Sequence, residues 1–503
     1  DGKPASNVVK SDTKTKGEVR INWTAQKNKV SHVVLQAGKA EILVVLADTL
    51  SAYRTYNPPI AAKGTLEYHA NTGELALVSG AYLIRNATIS GHTLSLAGSS
   101  NVTSPIEVVT RPEVTSITFN GDKLDTHKTV YGSLRATAPG PCEKARDYKV
   151  PSLKSLTWRY ADSLPEIKPN FDDSKWTIAD KTSTPNDYFN SSVVNTEGRV
   201  LFAESYGFYA NNVVWRGKFD STGSETGIYF HSETGNNAAG ALWLNEHFVG
   251  VLEPGSTYAD AFQNFTFPAG ALKKKDNVLT FLHDSSGYPE DGGLQVPIGY
   301  RKAAPGDENL VLQELKLPFG IIAYNFLGSN TTTVKQWKVQ GNYKGDHAPD
   351  RVRTYLNEGG LHGEVQGWHL PAFDDEKWAK SSPMQGIQKA GVGFYRTTFK
   401  LDAPRDHDLP ISLNFSEDEG TDYRALVYIN GWQFGRRWSL YGPQTSFVLP
   451  PGILNPQGDN TLAISFWNLK DAPAKIGSLE LKIDGVYTGK LDYYLNNPGW
   501  KEL

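Results

Sequence analysis

Short apolar, often β-branched runs alternate along this chain with punctuation rich in glycine, asparagine and proline. Val30–Leu35 and Glu41–Leu46 are two such runs, flanked by Lys, Gly and Asn; Leu75–Val78, Thr93–Leu96 and Ile106–Val109 are three more. Runs of this length with turn residues at both ends predict β-strands. No twelve-residue window carries an apolar stripe of helical period. Farther on, Leu242 and Leu244, and likewise Val427 and Ile429, alternate with their neighbours, so each strand has an apolar face. Leu279 and Phe281, and then Leu462, Ile464 and Phe466, supply a second face, and two such faces closed on each other make a sandwich. Asn430-Gly431 predicts a type I′ hairpin turn, and Asn245-Glu246 holds the same place earlier. The fold class that follows is all-β, built of tandem β-sandwiches, and the 47 glycines and 28 prolines suit it.

The chain also repeats itself. Trp158-Arg159 returns as Trp337-Lys338, and Phe171-Asp172-Asp173-Ser174-Lys175-Trp176 returns as Phe373-Asp374-Asp375-Glu376-Lys377-Trp378. Trp215–Phe219 answers Tyr395–Phe399, Leu244–Gly250 answers Ile429–Gly435, and Asn277-Val278-Leu279 answers Asn460-Thr461-Leu462. Apart from the Asp-Asp element, the offset stays between 179 and 185 residues, so two copies of one unit are present. The expected division is residues 1–75 as the end of one β domain, 76–150 as a small β-sandwich closed by Pro139-Gly140-Pro141, 151–335 as the first copy and 336–503 as the second.

Composition narrows the function. The 503 residues carry 51 Lys and Arg against 54 Asp and Glu, a net charge of −3 that draws neither nucleic acid nor an anionic membrane. No apolar run is long enough to span a bilayer. The chain opens on Asp1 and its sole methionine is Met384, so it reads as a processed or excised piece. Seven Asn-x-Ser/Thr acceptor triplets, at Asn22, Asn86, Asn101, Asn190, Asn264, Asn330 and Asn414, point to a glycosylated, secreted, extracellular protein. The single cysteine, Cys142, reads either as a buried thiol or as one half of a bridge to another segment.

Candidate chemistry is sparse. A retaining glycosidase needs two carboxylates roughly 5–5.5 Å apart. The candidates are Asp172-Asp173, Asp374-Asp375 and Glu417-Asp418-Glu419. The first two pairs are repeated, so they serve something common to both copies and read as loop-capping devices; the third reads as a solvated loop, with a Ca²⁺ site as the alternative. Glu246 follows Asn245, as an acid/base glutamate might, but its repeat partner is Gly431, so the carboxylate is dispensable to the shared role. Glu358 in Asn357-Glu358-Gly359-Gly360 reads as loop. No nucleophile elbow, zinc motif, Cys-x-x-Cys or phosphate loop occurs, and no cofactor or metal is expected. Trp432, Trp438 and Tyr441 lie near turns and are candidate sugar-stacking rings.

Tyr428-Ile429-Asn430-Gly431-Trp432-Gln433-Phe434-Gly435-Arg436-Arg437-Trp438, Gly442-Pro443-Gln444 and Gly458-Asp459-Asn460 together resemble the C-terminal galactose-binding-like jelly roll of glycoside hydrolase family 35 β-galactosidases. Tyr82-Leu83-Ile84-Arg85, Leu164-Pro165-Glu166-Ile167 and Leu356–Leu361 extend the likeness to the large fungal members, over about residues 39–481. The resemblance implies that both C-terminal copies are jelly rolls. It also implies that the catalytic glutamates sit on an N-terminal (β/α)₈ barrel, so that no catalytic residue lands in this chain. The expected partner is that barrel half, with β-galactoside bound through it, in a whole enzyme expected to be monomeric. The loop from about Ser285 to Leu315 would approach the barrel mouth, offering Tyr288 or Tyr300 to the sugar. The rival reading is a stand-alone carbohydrate-binding protein of tandem jelly rolls.

Overall fold

The computed structural model describes residues 23–25, 27, 30–37, 39–60, 75–209, 212–254, 260–287, 290–291, 315–342, 353, 356–357, 359–450 and 452–489. Strands dominate them, and the α-helices Thr49–Tyr53, Glu143–Arg146 and His362–Val365 are single turns. The chain forms two compact units.

The smaller unit gathers Asp1–Lys149 with two later segments, Asp402–Ile411 and Ile483–Asp492. Its sandwich sets a sheet containing Leu134–Ala138, Ser104–Thr110 and Ala76–Ser79 against one containing Leu83–Ser90, Thr93–Ser99 and Ser116–Phe119. Val78, Leu94, Leu96, Val108, Ile117 and Phe119 fill the space between. The later segments join by strand pairing: His407–Asp408 pairs with Tyr487–Thr488, and the Thr488 amide donates to the Ser100 carbonyl at 2.9 Å. Val30–Ala37 and Ala40–Ala47 form a separate hairpin.

The larger unit holds both repeat copies, each with a six-stranded and a three-stranded sheet. The first six-stranded sheet runs Thr177–Ile178, Gln336–Gln340, Val213–Phe219, Asn277–His283, Gly240–Leu244, His247–Leu252. The second runs Ala379–Lys380, Arg159–Asp162, Gly391–Lys400, Asp459–Asn468, Tyr423–Ile429, Trp432–Trp438. Position by position these are the same sheet, but the strands after the two repeated tryptophans have changed places. Arg159–Asp162, which opens the first copy in sequence, pairs with Gly391–Lys400 of the second sandwich. Gln336–Gln340, which opens the second copy, pairs with Val213–Phe219 of the first. The first sandwich is thus inserted within the second. The linear repeat could not reveal this, because a strand's partner depends on where the chain returns in space.

Two sheet faces per sandwich are buried. In the first sandwich Trp215, Phe230, Leu242, Leu244, Phe281 and Trp337 form the interior. The residues between them, Val214, Ala241, Trp243 and Leu282, point the other way and pack with Leu361, Val392 and Trp467 of the second sandwich. The two six-stranded sheets therefore lie back to back, so Asn277–His283 and Tyr423–Ile429 are buried at every position.

Candidate functional site

The Asp-Asp elements are arginine clasps. In the first sandwich Asp172 accepts a hydrogen bond from the Ser174 amide at 2.9 Å and shapes the turn. Asp173 faces inward, where its Oδ2 accepts from Arg216 Nε at 3.0 Å and its Oδ1 from Lys218 and Lys338 Nζ, both at 3.1 Å. Arg216 also donates to the Glu166 and Lys168 carbonyls, and its guanidinium lies 5.3 Å from the Phe171 ring centre. Burial opposes ionisation of Asp173, but hydrogen bonds from Lys338, Arg216 and Lys218 outweigh it and hold its pKa below the usual range. The second sandwich repeats the device: Asp374 accepts from the Glu376 amide, Arg396 Nε donates to Asp375 at 2.7 Å, and the Phe373 ring lies 5.4 Å from the guanidinium. A carboxylate so tied cannot act as a proton donor, and the repeat reading of these pairs is the one the geometry supports.

The asparagine turns repeat as closely. Asn245 and Glu246 have φ of 51° and 75°, and Asn430 and Gly431 have 49° and 84°, the left-handed values a type I′ turn requires. Asn245 Nδ2 donates to Ala271 O and Asn277 Oδ1, while its Oδ1 accepts from the Val278 amide. Asn430 does the same with Ile453, Asn460 and Thr461. Glu246 is exposed on its turn. In the acidic run, Glu417 accepts from Arg437 at 2.7 Å and from Tyr423 at 2.8 Å, Asp418 pairs with Lys475, and Asp422 pairs with Lys470. Lysines and an arginine hold the positions where the alternative reading put Ca²⁺. Glu358 lies outside the described residues.

Trp438 and Tyr441 are brought together by Arg424, whose guanidinium lies 4.6 Å and 5.2 Å from their ring centres. Arg424 is itself buried at the seam between the sandwiches. It reaches Asp284 at 3.3 Å and donates to the Asn237 carbonyl at 2.9 Å. Beside it, Arg436 donates to the Ser285 carbonyl at 3.1 Å. Asp284 and Ser285 start the long loop singled out in the sequence, so two arginines of the second sandwich grip its base. Burial raises the Asp284 pKa, and Arg424 works against that rise. Trp432 stands apart, at the opposite end of the strand Trp432–Trp438, with Arg353 5.0 Å from its ring centre. Tyr288 and Tyr300 lie outside the described residues.

Several buried carboxyls had no signal in the sequence, because each sits alone among unlike neighbours. Glu233 stands directly across from Asp260. Burial first, then the charges of Asp260 and Glu204, raise its pKa to about 8. Burial raises Glu204 to about 7. Both shifts favour the neutral acid, whereas a retaining pair needs one partner ionised as nucleophile. In the smaller unit a cleft of about 750 Å³ has Glu107, Asp125, His127, Arg54 and Arg135 on its walls. Glu107 accepts from Ser133 at 2.6 Å and Arg135 at 3.0 Å, while Asp125 is exposed beside His127. That cleft has the size for a sugar, but among the described residues no free, buried acid lines it.

Of the acceptor triplets, Asn86, Asn101, Asn190, Asn264 and Asn330 are exposed. Asn414 is half-buried with its amide on Ser412 Oγ, and Asn22 lies outside the described residues. Cys142 is a free, exposed thiol, which removes the buried-thiol reading. It precedes the short surface helix Glu143–Arg146 without a side-chain capping bond. Among the described residues no helix is long and apolar enough to cross a membrane.

Comparison with known proteins places these features. The family model described as β-galactosidase second all-beta domain matches residues 171–289 and 362–472, and that for β-galactosidase domain 3 matches residues 57–135. A probable β-galactosidase C of Aspergillus fumigatus is 38% identical over 470 residues, which is 92% of this chain and 44% of that protein. The probable β-galactosidase C of Aspergillus oryzae is 36% identical over 469 residues, again 92% and 44%. A β-galactosidase A from a Penicillium species is 35% identical over 454 residues, 89% of this chain and 42% of that one. The chain spans less than half the length of these relatives.

Proposed function

The chain belongs to the β-galactosidase family, and from that premise we propose that it is the non-catalytic C-terminal part of a secreted, extracellular enzyme that hydrolyses terminal non-reducing β-D-galactosides with retention. The catalytic glutamates belong to a barrel half outside this chain, which is its partner in a monomeric whole enzyme. The observation that carries the reading is the extent of the match: nine-tenths of this chain aligns, but with less than half of each relative. The side-chain chemistry supports it, because the repeated acid pairs are spent on buried arginines.

In this reading the sandwiches buttress the barrel and shape its entrance. The loop that begins at Ser285 supplies the edge of the sugar site, with Tyr288 or Tyr300 as its aromatic contact and Trp438 and Tyr441 behind its base. Arg424 and Arg436 hold that base in register. Trp432 remains a more distant contact on the same strand.

The test is hydrolysis of a chromogenic β-galactoside by the pure chain and by the chain co-expressed with a barrel half. The expected result is no turnover by the chain alone and full turnover by the pair. Turnover by the chain alone that Glu233→Gln or Glu204→Gln abolishes would overturn the proposal. Tight galactose binding by the free chain, read by calorimetry, together with no activation by the barrel half, would favour the stand-alone lectin instead.

A further inference from the structure

Asp260–Thr266 is an edge strand of the first sandwich's three-stranded sheet. Its sequence is Asp-Ala-Phe-Gln-Asn-Phe-Thr. Strand periodicity puts Phe262, Asn264 and Thr266 on one face, and all three are exposed, while Phe265 between them enters the core. Phe262 is 62% exposed, a costly state for a phenylalanine. Its ring lies 5.3 Å from His231 and 6.4 Å from Tyr229, and Tyr229 stands directly across from Asn264 in the strand pairing. The acceptor amide therefore stands in an aromatic corner. The other described acceptors lack one: two residues before Asn86, Asn101, Asn190, Asn330 and Asn414 come Ile84, Ser99, Tyr188, Gly328 and Ser412, none an exposed aromatic.

We infer that Asn264 carries an N-linked glycan whose first N-acetylglucosamine lies on the exposed ring of Phe262. The inference rests on the proposed secretory route. In the attachment step the Asn264 amide nitrogen attacks C1 of a lipid-linked pyrophosphate oligosaccharide. The C1–N bond forms, the C1–O bond to the pyrophosphate breaks, the amide loses one proton, and the lipid pyrophosphate leaves. Once attached, the sugar sets its C–H face on the ring and turns its hydroxyls to water. This covers an apolar surface that the protein leaves bare, and it shields an edge strand from pairing with another chain.

The experiment expresses the 503-residue chain through a yeast secretory route and combines glycopeptide mass spectrometry with thermal melts of four proteins: the parent, Phe262→Ser, Asn264→Gln and the double variant. The expected result is near-complete occupancy at Asn264. Phe262→Ser should then lower Tm by about 2 °C, and this loss should vanish in the Asn264→Gln background. Trimming the glycan to its first sugar should keep the coupling. An unmodified Asn264 peptide beside glycosylated Asn86 or Asn101 overturns the inference and leaves the secretory route intact. An equal loss of Tm in both backgrounds overturns the stacking. If no acceptor is modified, the inference fails together with the secretory reading.

Discussion

Asp173 and Arg216 illustrate how one side chain can stand for a whole loop. Arg216 is 1% exposed, and among the described residues Asp173 is the carboxylate that neutralises it at bonding distance. Asp173→Ala should therefore leave a buried cation unpaired and cost about 3–5 kcal/mol. Asp172→Ala removes one exposed turn bond and should cost about 1 kcal/mol. Urea denaturation of the two variants measures the contrast; equal effects would mean the turn, not the ion pair, holds the loop. Asp375→Ala should behave as Asp173→Ala does, since the clasp is duplicated. These roles were legible in the sequence because a repeated acid pair cannot easily be two active sites. Arg216 and Arg396 were not legible as partners: they lie 43 and 21 residues from their aspartates, and only folding sets them opposite.

At the scale of the element, the exchanged strands give the sharpest expectation. Arg159–Asp162 lies between Ala379–Lys380 and Gly391–Lys400 in the second sandwich. Deleting residues 150–162 should therefore strip Gly393–Arg396 of one of its two neighbouring strands, keep its ladder with Asp459–Asn468, and leave Val213–Phe219 paired on both sides. Hydrogen exchange of the truncated chain should show protection reduced within Gly393–Arg396 and kept in Val213–Phe219; the reverse would refute the pairing. The alternation of Leu242 and Leu244 gave the interior face of its strand correctly. It did not reveal that Ala241 and Trp243 are equally buried, because a face covered by a second sandwich looks apolar only where large residues happen to sit.

For the molecule as a whole, the buried titratable groups predict a pH profile. The carboxyls of Glu233 and Glu204 are raised from 4.5 to about 8 and about 7 by burial. At these two carboxyls the folded chain therefore holds more protons than the unfolded one above pH 4.5, and the stability they contribute is complete below 4.5 and lost as pH rises through 7 to 8. Burial lowers His283 and His362 from 6.5 to about 4, so these neutral rings cost stability as pH falls from 6.5 toward 4. The terms oppose each other below pH 6.5, and above it the raised carboxyls still titrate, Glu166 among them, since burial lifts it too to about 8. Tm should accordingly fall between pH 6.5 and 8, with each proton worth up to about 1.4 kcal/mol per pH unit. Glu233→Gln should flatten that slope; an unchanged slope would assign it to other groups.

The order of apolar and turn residues was enough to give an all-β chain with two like sandwiches and the hairpin turns at Asn245 and Asn430, and the motif from Tyr428 to Asn460 carried the resemblance to a family whose catalytic acids are expected elsewhere. Those properties are local or repeated, and so they are written in consecutive residues. Tertiary structure alone decided which strand completes which sandwich, that the two large sheets lie back to back, and that Arg424 joins Trp438 to Tyr441 at the base of a loop about 140 residues earlier. Strand pairing, burial and charge contact depend on distance in space, and the spacing of residues along the chain carries little of that information.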